Sequence, residues 1–137
     1  MSFTSVEVRD FQLEVGSRYI YRSQENRYDI ASWHRIFLDG KSVDQPGKPS
    51  TFSIVMEFGD QDYIDNVISQ GAGYILESSN AVVARYRLME FDKCYELLCN
   101  EEPVYFQFDR FSDAGDPTSD RKRIHTAQLT TNKEVVG

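Results

Sequence analysis

Thr51-Phe52-Ser53-Ile54-Val55-Met56-Glu57-Phe58 is the stretch whose reading decides the fold. Phe52, Ile54, Met56 and Phe58 recur at every second position, the pattern of a strand with one buried face. Gly59-Asp60 stops the run, and Asp60 is suited to cap a helix that starts at Gln61. Along that predicted helix Tyr63, Ile64, Val67 and Ile68 make one apolar stripe. Asp62 stands in its first turn, where the helix dipole favours an anion, and Gly71 suits the left-handed residue that closes it.

Toward the C-terminus, Gly73 to Ser78 and Ala81 to Leu88 read as two strands joined at Ser79-Asn80. A short helix follows from about Phe91 to Cys99, with Phe91, Cys94, Tyr95 and Leu98 inward, and then a strand from Pro103 to Phe108. From 51 to 108 the order is strand, helix, strand, strand, helix, strand. It predicts an α+β fold with a split βαβ, ferredoxin-like core, a mainly antiparallel sheet carrying two short helices on one face. A β-sandwich or a barrel-like sheet decorated by two helices satisfies the same pattern, because periodicity does not fix strand order. Parity assigns Phe52, Ile54, Met56, Phe58, Tyr74, Leu76, Val82, Ala84, Tyr86, Leu88, Val104, Phe106 and Phe108 to the inner face. The opposite face collects Ser53, Glu57, Glu77, Arg85, Arg87, Tyr105, Gln107 and Asp109, with Val55, Ile75 and Val83 among them. Those aliphatic residues imply a partial cover, from the N-terminal strands or from a partner subunit.

Upstream, residues 1–50 read as an N-terminal β segment. Phe11, Leu13 and Val15 alternate until Gly16-Ser17, Arg18 to Arg22 forms a second strand, and Ser23 to Arg27 is a polar turn. Trp33 to Leu38 is a third strand closing at the turn dipeptide Asp39-Gly40, and the Pro- and Gly-bearing stretch 41–50 is a loop. Ile124 to Thr131 is a last strand and 132–137 a frayed tail, so 1–137 is expected to be a single α+β domain with its core at 51–131.

The composition, 40% hydrophobic and 13% aromatic, supports a packed core without disulfides or metals. Cys94 and Cys99 are too few for a structural zinc site and point apart on one helix; both are expected to be buried free thiols. No cofactor or metal is implied: Ser112 to Asp120 lacks the spacing and closing glutamate of a calcium loop. Gly71-Ala72-Gly73 follows a helix where a phosphate loop would open one. The formal charge of −7 disfavours nucleic acid and anionic membranes, and the open sheet face lacks the stacking aromatics of RNA-binding domains. With no secretory signal and no apolar run near the ~20 residues of a membrane span, the expected placement is cytoplasmic.

Arg85 and Arg87 share a face near Glu57, where planar guanidinium groups are suited to a carboxylate or other anion. Tyr105 would rim such a site. His34, set opposite an inward Trp33, is the remaining candidate, as a base or proton switch. His125 follows the basic run Arg121-Lys122-Arg123, and no nucleophile pattern accompanies either histidine. The sequence therefore points to a small acidic interaction or regulatory module without catalytic activity, binding a protein partner or its own copy, of inhibitor or immunity type or self-associating. The alternatives are a small anionic-ligand binder or enzyme using the arginine face, and a structural subunit of a larger assembly.

Overall fold

In the computed structural model, which describes residues 2–44, 47, 49–59, 72–110 and 120–132, the Phe52-to-Phe58 alternation forms strand β3 (Thr51–Gly59) and buries each of those side chains. β2 (Arg27–Ser42) lies antiparallel on one side of it and β5 (Ala81–Arg87) parallel on the other. β4 (Gly73–Leu76) continues beyond β5, and β7 (Arg121–Ile124) beyond β4. On the far side, β1 (Ser2–Arg22) pairs with β2, β6 (Tyr105–Arg110) with β1, and β8 (Ala127–Thr130) with β6. The result is one eight-stranded sheet in the order β7-β4-β5-β3-β2-β1-β6-β8.

The ferredoxin-like α+β expectation is overturned, and so is a fold carried by two helices: the chain is mostly sheet, curled into a half-barrel. A split βαβ arrangement would place β6 beside β3. Here the β1–β2 hairpin takes that edge, because β2 runs in register with β3 from Trp33–Gly59 to Lys41–Thr51. The one helical stretch among the described residues is a 3-10 turn, Leu88–Glu90, leading into α1 (Phe91–Asn100). The helix expected over 61–70 lies outside the described residues. The N-terminal strands do not cover the sheet; they extend it.

Closure comes from the C-terminal strands. Ile124 to Thr131 is not one strand but β7 and β8, which occupy opposite ends of the sheet with only His125 and Thr126 between them. The sheet must therefore curl until its two ends approach. The Asp109 carboxylate holds the corner, accepting from the backbone N–H of His125 at 2.8 Å and of Thr126 at 2.6 Å. The Tyr86 hydroxyl adds a bond to the Ala127 carbonyl at 3.0 Å.

Curling gives the sheet an inner face, filled by Val6, Ile36, Leu38, Ile54, Met56, Phe58, Ile75, Val82, Phe106, Phe108 and Ile124. Full burial of side chains this size contributes about 1.5–3 kcal/mol each, the main stabilising term of the fold. α1 lays its apolar stripe on the same face. Leu98 is buried there, and Phe91 meets Phe58 edge-on at 5.3 Å and His34 at 4.6 Å. Cys94 is half-buried in this packing, but Cys99 is exposed, contrary to the expectation of two buried thiols.

Two parities differ from expectation. On β4 the inner residue is Ile75, paired with Val82, while Tyr74 stands on the outer face. Gly73 fixes this offset: its φ of +149° suits glycine, and a Cβ there would run into the Val83 carbonyl. On β2 the inner residues are His34, Ile36 and Leu38, opposite Phe58, Met56 and Ile54, so Trp33 faces outward and His34 inward. Trp33 is accommodated by lying over Gly16, its register partner on β1, where there is no room for a Cβ. Gly40, read as a turn residue, is buried inside β2, and the Glu7 carbonyl occupies the space its side chain would need. Likewise Gly16-Ser17 breaks nothing: β1 runs as a single strand of 21 residues.

Candidate functional site

On the outer face, registered pairs on four adjacent strands line up Glu14, Arg35, Glu57 and Arg85 in one row. Arg35 Nη1 donates to Glu14 Oε1 at 2.9 Å, and Arg35 Nε lies 3.6 Å from Glu57 Oε2. Arg85 Nε closes the row 3.9 Å from Glu57 Oε1. Trp33 Nε1 donates to Glu14 Oε1 at 3.2 Å. Beyond Arg85 comes the ring of Tyr74, with the Arg85 guanidinium carbon 5.4 Å and that of Arg121 4.0 Å from its centroid.

Alternating charge across the sheet favours the observed register, since a two-residue slip of β2 takes Arg35 away from both Glu14 and Glu57. Each exposed pair contributes only about 0–1 kcal/mol. Arg85 differs from the rest of the row: its side chain is 15% exposed, and Nε and Nη1 are buried without a hydrogen-bond acceptor.

The structure therefore brings Glu57 and Arg85 together, and Arg87 lies exposed on the same face, two residues along β5. It separates the other two expected site residues from them. Tyr105 is buried on β6, on the far side of β3, β2 and β1 from β5, and rims no site with the arginines. His34 is on the inner face against Phe91, with Nδ1 buried and unpaired. His125 is exposed at the β7–β8 corner. Asp120, at the end of the loop weighed for calcium, binds Ser78 through its N–H at 2.7 Å and its hydroxyl at 2.8 Å; residues 111–119 lie outside the described residues. Among the described residues, no three His, Cys, Asp or Glu side chains converge as metal ligands would.

The feature the sequence reading missed is an arm. β2 pairs with β3 only from Trp33 onward, and β1 pairs with β6 only up to Glu7. The hairpin beyond, from the pair Ser17–Ser32 to the pair Arg22–Arg27, projects roughly 20 Å at about 3.3 Å per residue. Among the described residues nothing pairs with either of its edges. Its turn, Ser23 to Asn26, places Asn26 at φ +47°, a conformation Asn tolerates, and Tyr21 Oη donates to Asn26 Oδ1 at 2.8 Å. The inner-face parity continues outward: Tyr19 is 68% exposed, Tyr21 52% and Tyr28 68%, with the last two rings 5.0 Å apart.

At the root of the arm lies a groove of about 300 Å³ between β1 and the end of α1. Val8, Phe11, Leu98 and Val104 supply its apolar lining, and Asp10, Glu101 and Glu102 its carboxylates. The one arginine lining it, Arg9, is paired with Glu7 at 3.1 Å. A register shift between Val8 and Asp10 opens the strand at this point.

No family model matches the chain, and comparison with curated proteins and with solved structures gives no match. Among the described residues no helix is long and apolar enough to cross a membrane.

Proposed function

We propose that this protein is a self-associating interaction module without catalytic activity, and that it acts through the β1–β2 arm. The observation that carries this reading is the combination, on one projecting hairpin, of three exposed tyrosines and two strand edges that pair with no strand among the described residues. A two-stranded hairpin is marginally stable alone in water, and an open edge is a template for further pairing. A projecting arm of this kind gains stability by docking. A basic foreign partner, suggested by the charge of −7, has less support, because residues 16–32 carry three arginines against two acids, a net +1.

The test is light scattering on size-exclusion fractions over a concentration series. The intact chain is expected to exceed its monomer mass as concentration rises. A variant with residues 18–31 replaced by Asn-Gly is expected to stay monomeric. An intact chain that remains a monomer throughout overturns the proposal, and so does an arm-shortened chain that associates normally.

A further inference from the structure

We infer that the arm of one copy seats in the groove between β1 and α1 of a second copy, so that the chains join head to tail. This deepens the self-association proposed above and depends on it. Charge complementarity selects the occupant. With +1 on residues 16–32, the rest of a chain of total −7 carries −8, so the arm and the body differ in sign. The groove is mainly polar and offers Asp10, Glu101 and Glu102 beside the side chains of Val8, Phe11, Leu98 and Val104, a mixture suited to an aromatic side chain flanked by arginines.

The backbone agrees. The outer edge of β1 is bonded up to Val8, whose N–H donates to the Val104 carbonyl at 2.9 Å. From Arg9 onward, among the described residues, that edge has no neighbouring strand, and Arg9, Asp10 and Phe11 line the groove. An incoming arm presents an open edge of its own. Strand addition satisfies both rows of N–H and C=O groups, while Tyr21 or Tyr28 fills the groove.

Arm and groove are different patches of one surface, so a head-to-tail contact between them is heterologous and builds rings or filaments, while a reciprocal exchange closes as a twofold dimer. Two half-competent variants test this. Replacing residues 18–31 by Asn-Gly leaves a groove without an arm, and Glu101→Lys with Glu102→Lys leaves an arm without its acidic seat. Each alone is expected to be monomeric, and an equimolar mixture is expected to form a 1:1 heterodimer that weakens as salt is raised. Cys99, exposed at the groove, supplies a second readout: its alkylation in the arm-shortened partner is expected to slow at least tenfold on mixing.

Should the arm-shortened chain not fold, Tyr19→Ser, Tyr21→Ser and Tyr28→Ser together keep the backbone and remove the anchors. A mixture that stays monomeric overturns the seat. So does a Glu101→Lys, Glu102→Lys chain that assembles like the parent while arm loss abolishes assembly, a result that leaves the self-association standing. A parent chain that is monomeric by itself overturns both.

Discussion

Glu57 and Arg85 face each other across the parallel strands β3 and β5, 3.9 Å apart, and Glu57 is the only carboxylate in ion-pair range of Arg85 among the described residues. Glu57 is shared with Arg35, which has Glu14 as well. Removing Glu57 therefore strands Arg85 and leaves Arg35 paired. Glu57→Gln is expected to lower unfolding free energy by about 1–3 kcal/mol, because a mostly buried guanidinium loses its counter-charge. Adding Arg85→Met should restore most of that loss. Urea titrations of the two single variants and the double variant measure the coupling; additive effects would show that the pair is not coupled.

His34 gives the opposite sign. Its Nδ1 is buried without a partner on a face otherwise built from aliphatic and aromatic groups. An unsatisfied buried polar atom costs about 1–3 kcal/mol, and an apolar replacement of similar size removes that cost. His34→Leu is expected to raise stability by about 1 kcal/mol, read as a higher urea midpoint at unchanged slope. A substantial loss would assign His34 a polar role that its surroundings do not show.

The thiols separate by environment. Burial, reinforced by Glu90, pushes Cys94 from its ordinary 9.0 up to about 11. In dilute, monomeric protein near pH 8, alkylation is expected to label Cys99 well before Cys94, as mass spectrometry of timed samples would show. The same shift sets a pH dependence. The folded state holds the Cys94 proton more tightly than the unfolded chain does, so this contribution is complete below pH 9 and is lost as pH rises from 9 through about 11. Burial displaces the Tyr86 phenol upward too, with a smaller push from Cys94, which steepens the alkaline loss. Melting temperatures from pH 8 to 11 should fall, and Cys94→Ala should flatten the decline.

Asp109 is the test of closure. Its carboxylate takes two backbone N–H groups at the corner joining the sheet's ends, and it is 2% exposed. Asp109→Ala leaves both donors without that acceptor and is expected to cost about 2–4 kcal/mol. Hydrogen exchange should show the loss first at β7 and β8. Uniform loss across all strands would mean that the corner does not open independently.

Much of the local pattern was readable because β3 and β5 bury alternate side chains. Phe52, Ile54, Met56 and Phe58 carry a signal that needs no partner to interpret. Strand order was not readable, because nothing in one strand's alternation names its neighbours. The outer neighbour of β3 was decided by the long register of β2. Glycine misled twice for one reason. Gly16 and Gly40 read as breaks, yet in the structure each makes room for a side chain or carbonyl of an adjacent strand. His34 and Trp33 were exchanged between faces because Trp33 and Phe37 on one parity compete with Ile36 and Leu38 on the other. Of the site, the pairing of Glu57 with Arg85 followed from sharing a face. The arm did not show, since its tyrosines alternate as a buried strand's would.

The corner at His125 and Thr126 also constrains the timing of synthesis. During translation every strand from β1 to β6 leaves the ribosome before either rim of the sheet exists. The nascent chain must wait with both flanks bare until Thr130 is clear of the exit tunnel. One late event then covers the two flanks together, and until the last strands are made each bare flank is open to pairing with another chain.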